Sequence, residues 1–210
     1  MTTAPVQRHK PVQARSRRTV TKILDAAAAI INEDGVEAAT TRTIADRAGV
    51  SYPSLYRFFA DRDEILDRLC FRHLSELKAL GEAAERTWEI HSVAELFDAE
   101  LELRVAYYRE HPNAARLWLV GPSSTAVLNR VRANMRALAE RMHVILIDAE
   151  LIPPDTDPLA LLVFVEIADR ILELAYRDRN DFDPAILDLG RKALIAYAND
   201  LANARVAHIR

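Results

Sequence analysis

The sequence predicts an all-α fold, and three observations carry this prediction. Half of the 210 residues are apolar and glycine occurs five times, a balance that favours packed helices over sheets. Apolar residues recur at three- and four-residue steps along most segments, which is the spacing of a helix face. Capping residues, glycines and prolines separate these segments, and no segment has the alternation typical of a credible strand.

The first two helices are predicted between Val20 and Gly49. An apolar stripe begins at Val20, and Gly35 lies where a residue in the left-handed conformation would end the helix. Thr40 can cap a short second helix, which Gly49 ends. The preceding eighteen residues lack apolar periodicity, so we expect them to be disordered.

The third and fourth helices follow directly. Ser51 can cap the third, which carries Pro53 near its first turn, where a missing N–H has no cost. This helix is expected to end near residue 59. Asp61 and Glu64 form a capping box for a fourth helix that runs toward residue 82.

Five further helices are predicted in the rest of the chain. Their boundaries are a Ser92–Glu95 capping box, a His111-Pro112 break, a short helix over residues 113–120, a Gly121-Pro122 break, a start at Ser123 or Ser124, and the pairs Asp157-Pro158 and Asp183-Pro184. The last two helices are expected over about 158–178 and 184–206. No internal repeat is present.

Charge is distributed unevenly along the chain. Its formal net charge is -3, but residues 1–60 carry nine lysines or arginines and five acids. Six of these basic residues precede Asp25, the first acid. Such an end is typical of a segment that faces nucleic acid, although a solvated tail explains the charge equally well.

Nothing in the sequence predicts secretion or membrane insertion. Cys70 is the single cysteine, so an internal disulfide is excluded and a cytosolic thiol is the simple interpretation. The longest apolar run, Leu159 to Val165, is much shorter than the ~20 residues that span a bilayer. We therefore expect a cytoplasmic protein with no membrane partner.

The second and third predicted helices have the arrangement of a helix-turn-helix. Each is about two turns long, too short to be stable alone, so both must pack on the first helix. The sequence "AGVS" joins them, and its Ala48, Gly49 and Val50 suit a tight turn between crossed helices. In a helix-turn-helix the second helix enters the DNA major groove.

The segment from Val20 to Leu69 resembles the TetR family of one-component transcriptional regulators. The resemblance rests on Thr40, Thr41, Arg42, Ile44, Ala45, Ala48, Gly49, Val50, Pro53, Leu55, Tyr56, Phe59 and the "DRDEIL" that follows. It implies a disordered basic arm (1–18), a three-helix helix-turn-helix DNA-binding domain (19–66) and a larger helical ligand-binding and dimerisation domain (67–210). The last region resembles the family in helix number and length alone.

The resemblance and the helix positions together predict the residues that contact double-stranded DNA. They are Arg17, Arg18, Thr40, Thr41, Arg42, Ser51, Tyr52, Pro53, Ser54, Tyr56, Arg57 and Arg62. Arg42, at a position that the family often uses on DNA, can reach a guanine edge or a phosphate, or remain solvated. Tyr52 and Ser54 can donate hydrogen bonds to base edges, and Pro53 can touch a thymine methyl.

The remaining DNA contacts are expected at phosphates. Tyr56 matches a family tyrosine whose hydroxyl usually meets a phosphate; the alternative is an aromatic ring packed under the helix. Arg57 and Arg62 are phosphate candidates. Arg17 and Arg18 can follow the backbone or a minor groove, or belong to a disordered tail. Many relatives carry lysine at the position of Tyr52, which leaves the operator sequence open.

One such unit is too small for tight, selective binding, so we expect a homodimer on a palindromic operator. Residues 159–165 are apolar nearly all round their helix, which either a partner subunit or a fully buried central helix explains. In the final helix Ile186, Gly190, Ala193 and Tyr197 follow one side. This pair of helices resembles the family's four-helix dimer interface.

The middle helices are expected to enclose a regulatory pocket. Candidate ligand contacts are Trp88, Phe97, Glu100, Leu101, Arg104, Tyr107, Tyr108, Trp118, Met135, Met142 and Phe164. Their aromatic and sulfur-containing side chains suggest a lipophilic or aromatic effector, and Arg104 leaves room for an anionic group. An ordinary hydrophobic core explains each of them as well.

No catalytic residue, cofactor or metal site is predicted. Cys70, His73 and Glu76 have a spacing that could hold a metal, but a buried thiol beside an imidazole is the simpler interpretation. Nucleotide-binding and hydrolase motifs are missing from the sequence. We expect a ligand-responsive repressor; the alternatives are a constitutive DNA-binding protein and an all-α enzyme.

Overall fold

The computed structural model describes residues 9–120, 124–177 and 181–208. These residues form nine α-helices and no strand, which confirms the all-α prediction. The helices are α1 His9–Asp34, α2 Thr41–Ala48, α3 Tyr52–Tyr56, α4 Arg62–Glu85, α5 Val93–Glu110, α6 Pro112–Ala115, α7 Thr125–Asp148, α8 Leu159–Tyr176 and α9 Pro184–His208. The chain divides into two compact units between Leu69 and Cys70.

Helix α1 begins at His9, eleven residues before the predicted start at Val20. Pro11 lies in the first turn, where a missing N–H has no intrahelical partner to lose. Arg17 and Arg18 are therefore exposed helical residues and not part of a disordered arm. Residues 1–8 of that predicted arm lie outside the described residues.

The first unit is built on the apolar face of α1. Its core includes Ile23, Ala27, Ile30, Ile31, Ile44, Ala45, Leu55, Phe59, Ile65 and Leu69. Gly35 and Gly49 follow the ends of α1 and α2 with φ values of 87° and 64°. Gly49 adopts the left-handed helical conformation, whereas Gly35, for which the same conformation was predicted, has an extended ψ of 172°; a Cβ would be strained at the positive φ of either.

The second unit contains helices α5 to α9 and most of α4. Its core includes Leu96, Phe97, Leu101, Val105, Leu138, Met142, Leu146, Leu161, Phe164, Leu172 and Leu194. Four predicted caps are confirmed, because Ser92, Ser124, Asp157 and Asp183 each accept a hydrogen bond from a backbone N–H of the helix that follows. The predicted Gly121-Pro122 break and Ser123 lie outside the described residues.

Helices α8 and α9 pack closely, and this corrects one expectation. A Cβ built on Gly190 would lie 2.3 Å from Ile171 Cγ2, and the Tyr197 hydroxyl donates to the Ala160 carbonyl over 3.0 Å. Gly190 and Tyr197 therefore face α8 of their own chain and not a partner. The other side of the pair is exposed and apolar, with Leu159, Val163, Ile167 and Leu174 on α8 and Leu189 on α9.

None of the helices in the described ranges combines the length and the apolar character that crossing a bilayer requires.

Candidate nucleic-acid interface and effector cleft

Three hydroxyl groups meet on the exposed surface of α2 and α3. The Tyr52 hydroxyl lies 2.9 Å from Thr41 Oγ1, and the Tyr56 hydroxyl donates to the same oxygen over 3.5 Å. The two tyrosine rings pack edge to face, with centroids 5.1 Å apart, and both residues are 45% exposed. Each hydroxyl can still make further hydrogen bonds to an external group.

The position of Tyr56 distinguishes between the two predicted roles, a hydroxyl that contacts a phosphate and a ring packed under the helix. Leu55 and Phe59 fill the core beneath α3 and are almost completely buried. The ring of Tyr56 lies outside that core, so it is not the packed aromatic of the alternative interpretation. Its hydrogen bond to Thr41 also contributes to holding the ring against the neighbouring helix.

The turns that begin α2 and α3 differ in how their hydroxyls are used. Thr40 is the N-cap of α2, where its Oγ1 accepts from the Thr43 N–H over 3.1 Å. Ser51 is the N-cap of α3, but its side chain makes no capping hydrogen bond. Pro53 is exposed and Ser54 is half-buried. Ser51 and Pro53 therefore lie where an external partner can reach them.

Not every arginine of this unit is available to DNA. Arg47 on α2 forms a two-pronged ion pair with Glu33 on α1, and this hydrogen-bonded pair lowers the pKa of the Glu33 carboxyl. Arg42 and Arg57 are exposed, and the Arg57 guanidinium lies 5.8 Å from the ring centroid of Phe58.

Arg62 has a different role from the predicted phosphate contact. Its Nε donates to the Ala39 carbonyl over 2.8 Å, and Nη2 donates to the Val36 carbonyl over 2.7 Å. The side chain is partly buried and also lies 3.8 Å from a Glu37 oxygen. These bonds fasten the turn before α2 to the start of α4, and they argue against a phosphate contact.

A cleft opens in the second unit between α4, α5, α7 and α8. Predicted ligand residues that line it are Glu100, Arg104, Tyr108, Trp118 and Met135. Its empty space is about 640 Å³ when the opening to solvent is included, whereas a water-sized sphere can centre itself in about 50 Å³. Little of this space is therefore enclosed by the protein.

Other predicted ligand residues lie elsewhere. Phe97 and Phe164 stack on each other in the core with centroids 3.4 Å apart. Leu101 and Met142 are buried core residues, and Trp88 packs on the edge of the core. Tyr107 lines a smaller neighbouring cavity with His73. None of these six side chains is among those that line the cleft.

The cleft also contains charged residues that sequence reasoning missed. Asp169 and Arg141 line it, and the Trp118 indole N–H donates to Asp169 Oδ1 over 3.4 Å. Both charged residues belong to amphipathic helices, where an isolated charge usually indicates a solvated face. Asp169 is one of four charged residues in "LLVFVEIADRILELAY", and its spacing of four residues after Val165 was the available signal that it shares a helix face with apolar positions.

Burial raises the pKa of two carboxyl groups in the cleft. Burial is the largest cause that raises the pKa of Glu100, and the same holds for Asp169. Arg104, whose Nη2 lies 3.8 Å from Glu100 Oε2, opposes both shifts. Burial likewise raises the pKa of the Tyr108 hydroxyl.

A polar cluster links α4 to α5 and α6 beside the cleft. His73 Nδ1 lies 2.8 Å from the Tyr107 hydroxyl, which in turn donates to Glu76 Oε2 over 3.0 Å. His73 Nε2 also contacts Asn113 Oδ1. Burial lowers the pKa of His73. No group of metal-binding side chains is found among the described residues.

These features define a class of protein. A compact helical unit presents an exposed Thr-Tyr-Tyr-Arg surface on two short crossed helices, which is the construction of a helix-turn-helix DNA-binding domain. Residues 23–69 match the family model described as "Bacterial regulatory proteins, tetR family". Residues 23–69 thus resemble the helix-turn-helix DNA-binding domain of TetR-family transcriptional regulators, as the sequence predicts.

Known proteins resemble the chain to different extents. The HTH-type transcriptional repressor KstR2 of Mycobacterium tuberculosis is 46% identical over 57 residues, 27% of this chain and 28% of that protein. The match therefore spans just over a quarter of that relative's length. A TetR-family transcriptional regulator from Streptomyces coelicolor has a similar structure, with a TM-score of 0.65, 29% identity, and coverage of 87% and 99% of the two chains.

A second solved structure shares the fold at lower identity. The transcriptional regulator FadR of Bacillus subtilis, in complex with stearoyl-CoA, has a TM-score of 0.67 and 18% identity over 85% of this chain and 97% of that one.

Proposed function

We propose that the protein is a ligand-responsive repressor that binds a palindromic operator as a homodimer. The observation that carries this proposal is the exposed surface formed by Thr41, Arg42, Tyr52, Pro53 and Tyr56. Its hydroxyl groups and arginine suit base edges and phosphates. Arg57, Arg17 and Arg18 add positive charge in the same unit.

Dimerisation is proposed through α8 and α9. Leu159, Val163, Ile167 and Leu174 fall on one side of α8 and are exposed in the single chain. A contiguous apolar stripe of this kind on a polar protein marks an interaction surface. Two copies related by a twofold axis would bury this stripe and present two α2–α3 surfaces to a palindromic DNA site.

An effector is proposed to bind in the cleft between α4, α5, α7 and α8. Helix α4 carries cleft residues such as Leu74 and Leu77, and its first turns also belong to the DNA-binding unit through Ile65. An effector that prefers one position of α4 would therefore favour one spacing between the α2–α3 surfaces of the two subunits. The effector can produce this change only if it binds the DNA-releasing arrangement more tightly than the DNA-binding arrangement.

Operator release tests this proposal. The full-length protein would first be bound to a DNA site obtained by selection from random duplexes, and small lipophilic compounds would then be titrated into a gel shift. A regulator releases the DNA at a defined effector concentration. A constitutive DNA-binding protein stays bound with every compound, and failure to select any site would contradict the function itself.

A further inference from the structure

Glu100 has an unusual environment for a carboxyl group. It lies on α5, lines the cleft and is 3% exposed. Its Oε2 faces Arg104, but Oε1 has no hydrogen-bond partner among the described residues. A buried carboxyl oxygen without a donor is costly, and native proteins usually satisfy such atoms. A ligand in the cleft can supply the donor.

The basic side chains of the cleft already have acidic neighbours. The pairs are Arg104 with Glu100 at 3.8 Å, Arg141 with Glu85 at 3.0 Å, and Lys78 with Glu82 at 3.7 Å. Arg141 Nε contacts both Glu85 oxygens. An anionic ligand would therefore compete with these acids for cations that are already paired.

Asp169 adds a second carboxyl group to the cleft, and it shares Arg104 with Glu100 as a neighbouring cation. It lines the same cleft from α8, and within the described ranges its hydrogen bond comes from the neutral indole of Trp118. Burial raises the pKa of both Asp169 and Glu100, which means that the cleft disfavours their charged forms. A bound cation would offset this cost, whereas a bound carboxylate would increase it.

We infer that the effector is a lipophilic amine, bound as its ammonium ion with an N–H group directed at Glu100 Oε1, in a cleft to which Asp169 adds a second carboxyl group. This inference rests on the proposed effector cleft and specifies its ligand. Leu74, Leu77, Met135 and Val165 also line the cleft, and their apolar side chains suit an apolar chain. Because the enclosed space is small, a slender alkyl chain fits better than a fused aromatic ring system.

Direct calorimetry with matched ligands tests the inference. The full-length protein would be titrated with a medium-chain primary alkylamine, the alcohol of the same chain and the carboxylic acid of the same chain. The amine is expected to bind roughly 10- to 100-fold more tightly than the alcohol, since a hydrogen bond to a charged group exceeds a neutral one. The acid is expected to bind more weakly than the alcohol.

A matched pair of variants assigns the effect to Glu100. Glu100→Gln keeps the size of the side chain but removes its charge, so it should abolish most of the preference for the amine over the alcohol. Glu110→Gln, at an exposed position at the end of the same helix, should leave the preference unchanged. Asp169→Asn provides a second variant if Glu100→Gln fails to fold.

The outcomes separate the inference from the proposed function. If the carboxylic acid binds more tightly than the amine, or if the amine does not bind, the inference is wrong. Release of DNA by the acid would then still support a ligand-responsive repressor. If the amine binds but the protein selects no DNA site, the ligand assignment holds and the proposed function fails.

Discussion

At the scale of single residues, the arginines around α2 and α3 differ in whether their side chains already bond to other groups of the protein. Arg47 is paired with Glu33, and Arg62 donates to the carbonyls of Val36 and Ala39. Arg42 is exposed and has no such commitment in the described structure. It is therefore the strongest candidate for reading a base in this unit.

Replacing Arg42 should change sequence preference as well as affinity. Arg42→Ala is expected to weaken operator binding by ~1–3 kcal/mol and to relax base choice at one position of each half-site. Arg42→Lys keeps the charge but loses the two-pronged geometry, so it should restore affinity more than selectivity. Gel shifts with operators mutated one base pair at a time measure both effects, and unchanged preference in Arg42→Ala would contradict the assignment.

His73 should make the stability of the second unit depend on pH. Its folded-state pKa lies below the ordinary histidine value of 6.5 because burial disfavours the imidazolium form. The hydrogen bond with Asn113 and the charge of Glu76 oppose this shift, whereas Arg72 and His111 add to it. Below pH 6.5 the unfolded chain binds a proton more readily than the folded one, so stability falls as pH decreases toward the folded pKa.

Comparison with a variant isolates the contribution of His73. Each unit by which the pKa is lowered corresponds to about 1.4 kcal/mol of free energy. Urea unfolding at about pH 8 and about pH 5 should show a larger loss of stability in the wild type than in His73→Gln. Equal losses in the two proteins would contradict a buried, neutral imidazole, since other titrating groups are common to both.

At the scale of helices, the sequence predicts where a helix begins better than it predicts which neighbour each face of the helix contacts. Capping is local, so Thr40, Ser92 and Ser124 mark the beginnings of their helices within a few residues of sequence. Helix α1 has no such signal, and its start was placed eleven residues too late. Asp169 and Glu100 line the same cleft only because of how α8 and α5 are rotated about their axes, which no local pattern encodes.

Gly190 illustrates a contact that the sequence suggested for the wrong partner. Gly190→Ala should destabilise the second unit by ~1–3 kcal/mol, because its Cβ would overlap Ile171 Cγ2. In an Ile171→Ala background the overlap is absent, and alanine should then be the more stable residue because of its higher helix propensity. Thermal or urea unfolding of the four proteins measures this reversal of sign.

The same four proteins also test whether Gly190 on α9 contacts a partner subunit. If Gly190→Ala leaves stability unchanged but prevents dimer formation, Gly190 faces a partner subunit and the packing described for α8 and α9 is wrong.

At the scale of the whole molecule, the exposed stripe on α8 should hold two copies together. Val163 is 47% exposed at the centre of this stripe, and Val163→Glu would place a charge in a dry interface. We expect the dimer dissociation constant to rise by at least ~100-fold. Val144→Glu is the control, since Val144 on α7 is 55% exposed and lies outside the stripe.

Sedimentation of the two variants distinguishes a dimer interface from a general effect of added charge. Dissociation of Val163→Glu together with an intact Val144→Glu dimer supports the proposed interface. If both variants remain dimeric, the subunits associate through another surface. The sequence predicted an apolar excess on this helix, but its exposed side became evident only when Leu161, Phe164 and Val165 were found in the core.

Selection of binding sites from random DNA duplexes tests the central claim most directly. If two copies of the α2–α3 surface read DNA, the wild type should enrich an inverted repeat whose half-site centres lie about one helical turn, or a multiple of it, apart. Arg42→Ala should enrich the same repeat with one position degenerate in each half. Enrichment of no sequence, or of a motif that Arg42→Ala leaves unaltered, would contradict the account.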